Sequence, residues 1–561
     1  MLTLHVMSGK MSLLYPKEKD GNEGGVKMKR IRQFLKNPRT EILFVAVLLL
    51  IGIFIRAYHF GTVPIGIHQD EAMAAVDAKA LADYGTDRFG MRYPVHFTAW
   101  IGGQMSVLLS YCMVPFIKIL GFSTVSIRLP MLLVSCVGLL ALYLLARQIG
   151  GTELAVAVTA LGVICPWHYL QSRWSFDCNM FPHVFLFGVC LLMAGLKKKG
   201  LLYLSMVFFG LCSYCYGVAN YSVPLFLLAM AVCLLCIRRI RWKELILCFL
   251  VYFLVALPEF LTMLINMLGM DTIETSLFTI PYFPQSMRSK DILLLNFSWE
   301  QLWKNIVRTF SVVWWKGDKS ITNTIVKFGP VYYLTVGFFL IGFVRSLWKI
   351  RKAENAEKKI PYIVLLGWLL MGLWVGIVTK EVTINRINII FYPVLIIAGV
   401  GIVWCVRKWK LLVVPIGAAY AVLALLFARN YFGEWADVSR IYYYEPYVNA
   451  LYYARSFDCD YYYITPDPQG EGVRMVGEIL TMYCHEIDAR YYQGLSHIQD
   501  GKEVLPFQER YQFQDVTEEI VAQQKGRSVV YLVRAPEVEL FSPEEYDICS
   551  FYDAYFVVTS K

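Results

Sequence analysis

GTVPIGIHQDEAMAAVDAKALADYGTDRFGMRYP, residues 61–94, follows directly on an apolar run that begins near residue 41. It is polar, it holds the adjacent acids Asp70 and Glu71, and further apolar runs follow it. Those runs are about 16–22 residues long, enough to cross a hydrocarbon layer of roughly 30 Å with help at their ends. A soluble domain carries about 25% charged residues. Here 17% of the 561 residues are charged and 57% are hydrophobic, with a mean hydropathy of +0.49. Such a chain lacks the polar surface to cover itself in water. The sequence is that of a polytopic membrane protein, and 61–94 is one of its loops.

Apolar runs begin near residues 41, 105, 130, 152, 181, 201, 222, 244, 330, 361, 388 and 411. Basic clusters lie at Lys27 to Arg39, Lys197 to Lys199, Arg238 to Lys243, Arg345 to Lys359 and Arg407 to Lys410. Clusters between spans mark cytoplasmic loops. They account for the net charge of +10, so no nucleic-acid partner is expected. From Lys199 onward, two runs separate each pair of clusters. Between Arg39 and Lys197 there are five, and an odd number cannot return the chain to the same side. The weakest is 105–121, which is short and holds Pro115 and Lys118. It reads as a juxtamembrane or re-entrant helix at the outer surface.

Eleven spans result, with residues 1–40 cytoplasmic and the C-terminus outside. The outer loops are 58–129 and 266–329, the second rich in tryptophan. Residues 430–561 turn polar, with β-like runs at 461–465 and 529–533, and read as a small extracytoplasmic α/β domain. No signal-peptide pattern stands out, so the first run is expected to stay as an anchor. Most of the 14 cysteines lie in apolar runs, and no CxxC pair suggests zinc or redox chemistry. A disulfide among Cys459, Cys484 and Cys549 stays open.

Asp70 and Glu71 open a stretch of helix formers that ends at Gly85, a fitting C′ residue. The structural reading makes Asp70 the N-cap, with Glu71 favourable to the helix dipole. The functional reading makes Asp70 a general base, because an acceptor hydroxyl attacking a sugar carbon must lose its proton. A cap that fixes a side chain in place can also be that base, so both readings are held for Asp70.

HQDEAMAAVDAKALADYGTDRFGMRYP (68–94), GFSTVSIRLP (121–130) and CPWHYLQSRWSFDCN (165–179) resemble the protein O-mannosyltransferase and aminoarabinose transferase superfamily, above all its bacterial members. The likeness runs over roughly residues 40–430 and is strongest before residue 225. It implies a GT-C membrane catalytic body over 41–429 and a polyprenyl-phosphate-linked sugar donor. It also implies inverting transfer of a hexose or pentose to a hydroxyl or amine at the outer face of the cell membrane. The family's acidic motif falls on Asp70 and Glu71, the first acid being the base. Its arginine before the second span falls on Arg128. One departure stands out: where many members carry a lysine for the carrier phosphate, this chain has Gln104, which brings no charge.

A departing phosphate needs fixed cations, and arginine grips phosphate with a planar fork. Arg128, Arg173 and Arg386 lie at external ends of spans, against the positive-inside bias, and Lys79 lies near the face of the acids. Each is a candidate for the carrier phosphate or sugar, with snorkelling to lipid headgroups as the competing role. Arg56 reads as ordinary snorkelling, and Asp177 as the i,i+4 partner of Arg173. Tyrosines around Tyr442 to Tyr444 are equally suited to stacking on sugar and to anchoring at the interface. No cofactor is expected, and a divalent metal is left open. The acceptor, whether protein, lipid or cell-wall glycan, is not written in the sequence. A transporter or flippase of lipid-linked sugars, or an oligosaccharide ligase or polymerase, are the alternatives.

Overall fold

The computed structural model describes residues 38–100, 103–284, 298–470, 473 and 475–561. Its longer helices are α1 (Pro38–Ala57), α2 (Gln69–Tyr84), α3 (Leu108–Leu120), α4 (Thr124–Gly150), α5 (Thr152–Ile164), α6 (Asp177–Gly195), α7 (Lys199–Leu211), α8 (Ala219–Cys236), α9 (Trp242–Leu268), α10 (Trp299–Trp314), α11 (Leu334–Lys352), α12 (Ala356–Val378), α13 (Phe391–Lys408), α14 (Val413–Tyr431), α15 (Glu434–Tyr442), α16 (Glu445–Arg455) and α17 (Met475–Cys484). Among the described residues, eight helices are long and apolar enough to cross a membrane: α1, α4, α6, α8, α9, α12, α13 and α14. The chain is a multi-pass membrane protein. Helices α5, α7 and α11 stand at the other three places where spans were read. The first two have 13 residues each, and α11 ends in Lys349, Arg351 and Lys352.

Local chemistry explains the breaks. Helix α5 stops because Pro166 forces Cys165 into extended backbone at ψ 123°. Pro166 then opens a new helix over Pro166–Gln171, where its missing N–H is no loss. Helices α11 and α13 cross at backbone distance. A Cβ on Gly342 would lie 1.8 Å from the Ile397 carbonyl oxygen, and one on Gly401 would lie 2.0 Å from that of Phe338. Small residues at a helix crossing let backbones meet in this way. The 105–121 run folds as α3, whose length of about 20 Å is short of a bilayer core, and it packs on α2 and α4.

Helix α2 is buried nearly all round, from Glu71 to Ala82. One side meets α3, and the other meets α17 from the C-terminal part of the chain. That part carries strands β1 (Tyr461–Ile464), β2 (Tyr511–Phe513), β3 (Val529–Arg534), β4 (Tyr546–Phe551) and β5 (Tyr555–Ser560). They form one sheet in the order β4-β5-β3-β1-β2. Strands β4, β5 and β3 run antiparallel, whereas β1 runs parallel to both β3 and β2. Its core is continuous with that of the membrane body, since Tyr443, Tyr447 and Leu480 belong to the same buried cluster as Ile67, Ile127 and Trp174. The Ile67 N–H donates to the Tyr443 carbonyl at 2.7 Å. Gly66, at φ +90°, allows this seam, because a Cβ there would sit 2.2 Å from the same oxygen. Cys459, Cys484 and Cys549 are not in disulfides.

Candidate active site

The first turn of α2 is held by its own side chains. His68 is the N-cap, extended at φ −75° and ψ 148°. Its Nδ1 accepts from the Asp70 N–H at 3.2 Å, and Glu71 reaches back to the His68 N–H at 3.4 Å. This is a capping box with an imidazole in the usual hydroxyl position. Asp70, expected as the cap, is instead the second helical residue. The tie of Ile67 to Tyr443 starts the helix earlier than cap preferences indicate.

Glu71 is fully buried. Arg128 grips it in a fork, Nε to Oε1 at 2.9 Å and Nη2 to Oε2 at 2.8 Å, and the Ser175 N–H adds a third donor at 2.7 Å. Arg128 also donates from Nη1 to the carbonyl of Pro64 at 2.8 Å and from Nη2 to that of Gly66 at 2.9 Å. It too is fully buried. Glu71, the second acid of the motif, and Arg128, read as a candidate for the carrier phosphate, therefore have no open face here. The pair locks the start of α4 to the loop before α2.

Arg173 is enclosed in the same way. Its guanidinium donates to the carbonyls of Arg56, His59 and Val63 and to the Tyr431 hydroxyl, at 2.5–3.2 Å. Carbonyls at the end of a helix lack intrahelical partners, and this buried cation satisfies those that close α1. It makes no ion pair with Asp177. Arg56, read as snorkelling, is also buried. It donates to Gly162 and Val163 at the end of α5 and to His168 Nδ1.

The other sequence candidates lie apart. Lys79 pairs with Asp83 one turn along α2. Gln104 sits in a two-residue strand opposite Thr98. Arg386 is half-buried in the loop between α12 and α13, where it donates to Thr379 Oγ1 and the Glu381 carbonyl at 3.2 Å each.

Asp70 is the acid with a way out. Its side chain is 21% exposed. Oδ1 accepts from the Trp100 indole N–H at 2.8 Å, and its place in the first helical turn adds the positive end of the dipole. Beside it lies a cavity of about 190 Å³. Three distant stretches wall it: His68, Gln69 and Trp100 from the first loop, Ser320 and Thr322 from the second, and Tyr442, Tyr444 and Asp467 from the C-terminal unit. Tyr444 holds φ +53°, a left-handed conformation that bulky residues seldom adopt outside functional sites. Trp100, Asp467, Ser320 and Thr322 were not read from the sequence. No local pattern marks them, because tertiary folding alone brings them to Asp70.

Two further clusters brace the first loop. Asp77 is buried against Arg88, which also donates to the Thr98 carbonyl. Burial pushes the Asp77 carboxyl up to about 7; Arg88 pulls it down and Asp87 adds to the rise. Burial raises Asp87 as well. His96 meets Glu259 of α9 at 2.6 Å, and Asn220 donates to the same carboxylate at 2.6 Å. Among the described residues, no group of three or more His, Cys, Asp or Glu side chains is placed to hold a metal ion.

A family model described as dolichyl-phosphate-mannose-protein mannosyltransferase matches residues 105–265. Among solved structures, ArnT from Cupriavidus metallidurans bound to undecaprenyl phosphate superposes with a TM-score of 0.54 at 13% identity, over 92% of this chain and 97% of that one. The chain carries the GT-C fold. The oligosaccharyltransferase of Archaeoglobus fulgidus, tethered to an acceptor peptide, shares that fold with a TM-score of 0.50 at 13% identity, over 94% of this chain and 75% of its own. A search of curated proteins finds no sequence match. On this GT-C fold, the capped start of α2 and the second and C-terminal segments that face it make the candidate site.

Proposed function

We propose that this chain is a membrane glycosyltransferase that moves a sugar, with inversion, from a polyprenyl-phosphate carrier to an acceptor hydroxyl or amine. One observation carries the reading. Of the two adjacent acids, Glu71 is consumed by the scaffold, whereas Asp70 is part-exposed and accepts from the indole N–H of Trp100, which lines a cavity with His68 and Gln69. A carboxylate so fixed can take the acceptor proton as the acceptor attacks the sugar carbon. The phosphate leaves from the opposite side without a general acid, so one carboxylate suffices, unlike glycoside hydrolysis. Hydroxyls of Ser320, Thr322 and Tyr442 suit a sugar, and the rings of Trp100 and Tyr444 suit its faces. The charge-neutral polyprenyl chain stays in the bilayer while the reaction runs at its outer rim. The likeness to ArnT bound to undecaprenyl phosphate and the matching mannosyltransferase model support a carrier of that class.

Arg386, the third arginine read at the external end of a span, is the candidate for the carrier phosphate, on its place in the turn that leads into α13. In the same short turn of helix the Ile384 N–H donates to Asp318 at 2.9 Å, two residues ahead of Ser320, which lines the cavity. The test is transfer from polyprenyl-phosphate sugars by the purified chain in detergent. Asp70→Asn should lower turnover by about 10²–10⁴-fold while thermal unfolding stays unchanged; near-normal turnover would reduce Asp70 to a helix residue. Arg386→Ala should raise the KM for donor more than that for acceptor, and equal change would remove it from the phosphate. Activity that needed sealed vesicles would instead favour a transporter.

A further inference from the structure

The rim opposite Asp70 is built on other lines. Helix α4 runs from Arg128, which holds Glu71, to Gln148, about 30 Å away at 1.5 Å per residue. Gln148 lines a polar pocket of about 700 Å³ formed with the ends of α11 and α13 and the start of α12. Its cations are Arg345, Lys349, Lys352, Lys358 and Arg407. Two acids, Glu354 and Glu357, also line it, and these and the adjacent Glu153 have partners: Glu153 with Arg407 at 2.7 Å, Glu357 with Arg239 at 3.0 Å, and Glu354 with Lys358 at 3.6 Å. Among the described residues, Arg345, Lys349 and Lys352 have no carboxylate within ion-pair distance. Arg345 is held over Trp348 at 4.3 Å and faces Trp404 at 5.5 Å.

An apolar cleft of about 470 Å³ continues from this pocket between α1, α5, α13 and α14, and shares Val403 and Arg407 with it. Ile51, Ala157, Leu161, Ile402 and Val413 line it. Five cations against two acids in the lining, tryptophans at its edge and an apolar slot leading into the bilayer together describe one kind of molecule.

We propose that this rim binds an anionic diacyl phospholipid. Its phosphate sits against Arg345, Lys349 and Lys352, and one acyl chain lies in the cleft past Arg407. Basic pockets between membrane helices attract anionic headgroups, each cation contributing near the surface, and tryptophan favours the headgroup level. A zwitterionic lipid would bring its own cation to the cluster. The proposal stands apart from the reading of Asp70, since its readout is lipid retention and not transfer.

The test uses the full chain in neutral detergent and follows bound lipid by native mass spectrometry. Phosphatidylglycerol should remain bound where phosphatidylcholine of the same acyl chains is lost. The double variant Arg345→Gln, Lys349→Gln should weaken phosphatidylglycerol by about 30-fold. Ala157→Trp, which fills the cleft without touching a cation, should weaken long-chain phosphatidylglycerol and leave the dihexanoyl form unchanged, so the idea stays testable if the double variant misfolds. Equal binding of the two headgroups overturns the proposal. So does full retention in both variants, displacement by millimolar inorganic phosphate, or preference for polyprenyl phosphate over the diacyl lipid.

Discussion

The two rims of the membrane body use arginine in opposite ways. Around Asp70, Arg56, Arg128 and Arg173 are buried and ringed by carbonyls, a hydroxyl and one carboxylate. At the other rim, Arg345 lies over tryptophans, and Lys349 and Lys352 stand exposed. A buried guanidinium is tolerable only when most of its donors are met, so the first set is enclosed and fixes backbone. The second set, held loosely and short of acids, has its charge to offer. Burial, and not position along a span, separates the scaffold cation from the binding cation.

That contrast can be broken from either side. The largest effect is expected at Glu71→Gln, which leaves Arg128 without its counter-charge in a buried place and should cost about 3–5 kcal/mol of stability, read as denaturant or thermal unfolding in detergent. A variant that melts like the parent would mean the fork is not structural. A smaller effect is expected from pH, again at the Asp70 rim alone. Burial holds the Asp77 carboxyl near 7 in the folded state, against about 3.9 for a free aspartate. Between those values the unfolded chain has lost the proton and the folded chain keeps it, so folding binds a proton. This contribution is full below the unfolded value and is lost as pH rises through about 7. The melting temperature should therefore fall between pH 5 and pH 8 by more in the parent than in Asp77→Asn; identical pH profiles would remove Asp77 from the account. The smallest effect is expected at the other rim. Lys352→Gln changes a surface residue with no ion pair among the described residues and should shift stability by no more than about 0.5 kcal/mol, and a larger loss would make that rim structural too.

The architecture was largely legible. Apolar runs and charge clusters gave a polytopic helical body, a short helix at 105–121 and a C-terminal α/β unit, because burial in lipid demands long apolar runs and polar loops. The motifs at 121–130 and 165–179 also pointed to the superfamily that the match over 105–265 supports. The site was legible in part. Asp70 and Glu71 were singled out as a pair, but sequence could not say which would be enclosed, since that depends on Arg128 arriving from 57 positions away. Arg128, Arg173 and Arg386 were noticed for breaking the positive-inside pattern. The same anomaly fits a buried fork and an exposed ligand, and only packing separates them. The cap went to His68 because a tie from Tyr443 set the helix start, which no local preference encodes. Trp100 and Asp467 were invisible for the same reason.

The seam at Gly66 and Tyr443 has a bearing on how this protein matures. Tyr442, Tyr444 and Asp467 close a chamber whose floor was laid down near residue 70. A chain still on the ribosome at residue 431 owns every candidate span and the acid, yet it has no roof over them. The cavity beside Asp70 is therefore walled only after residues 442–467 have joined helices made long before them.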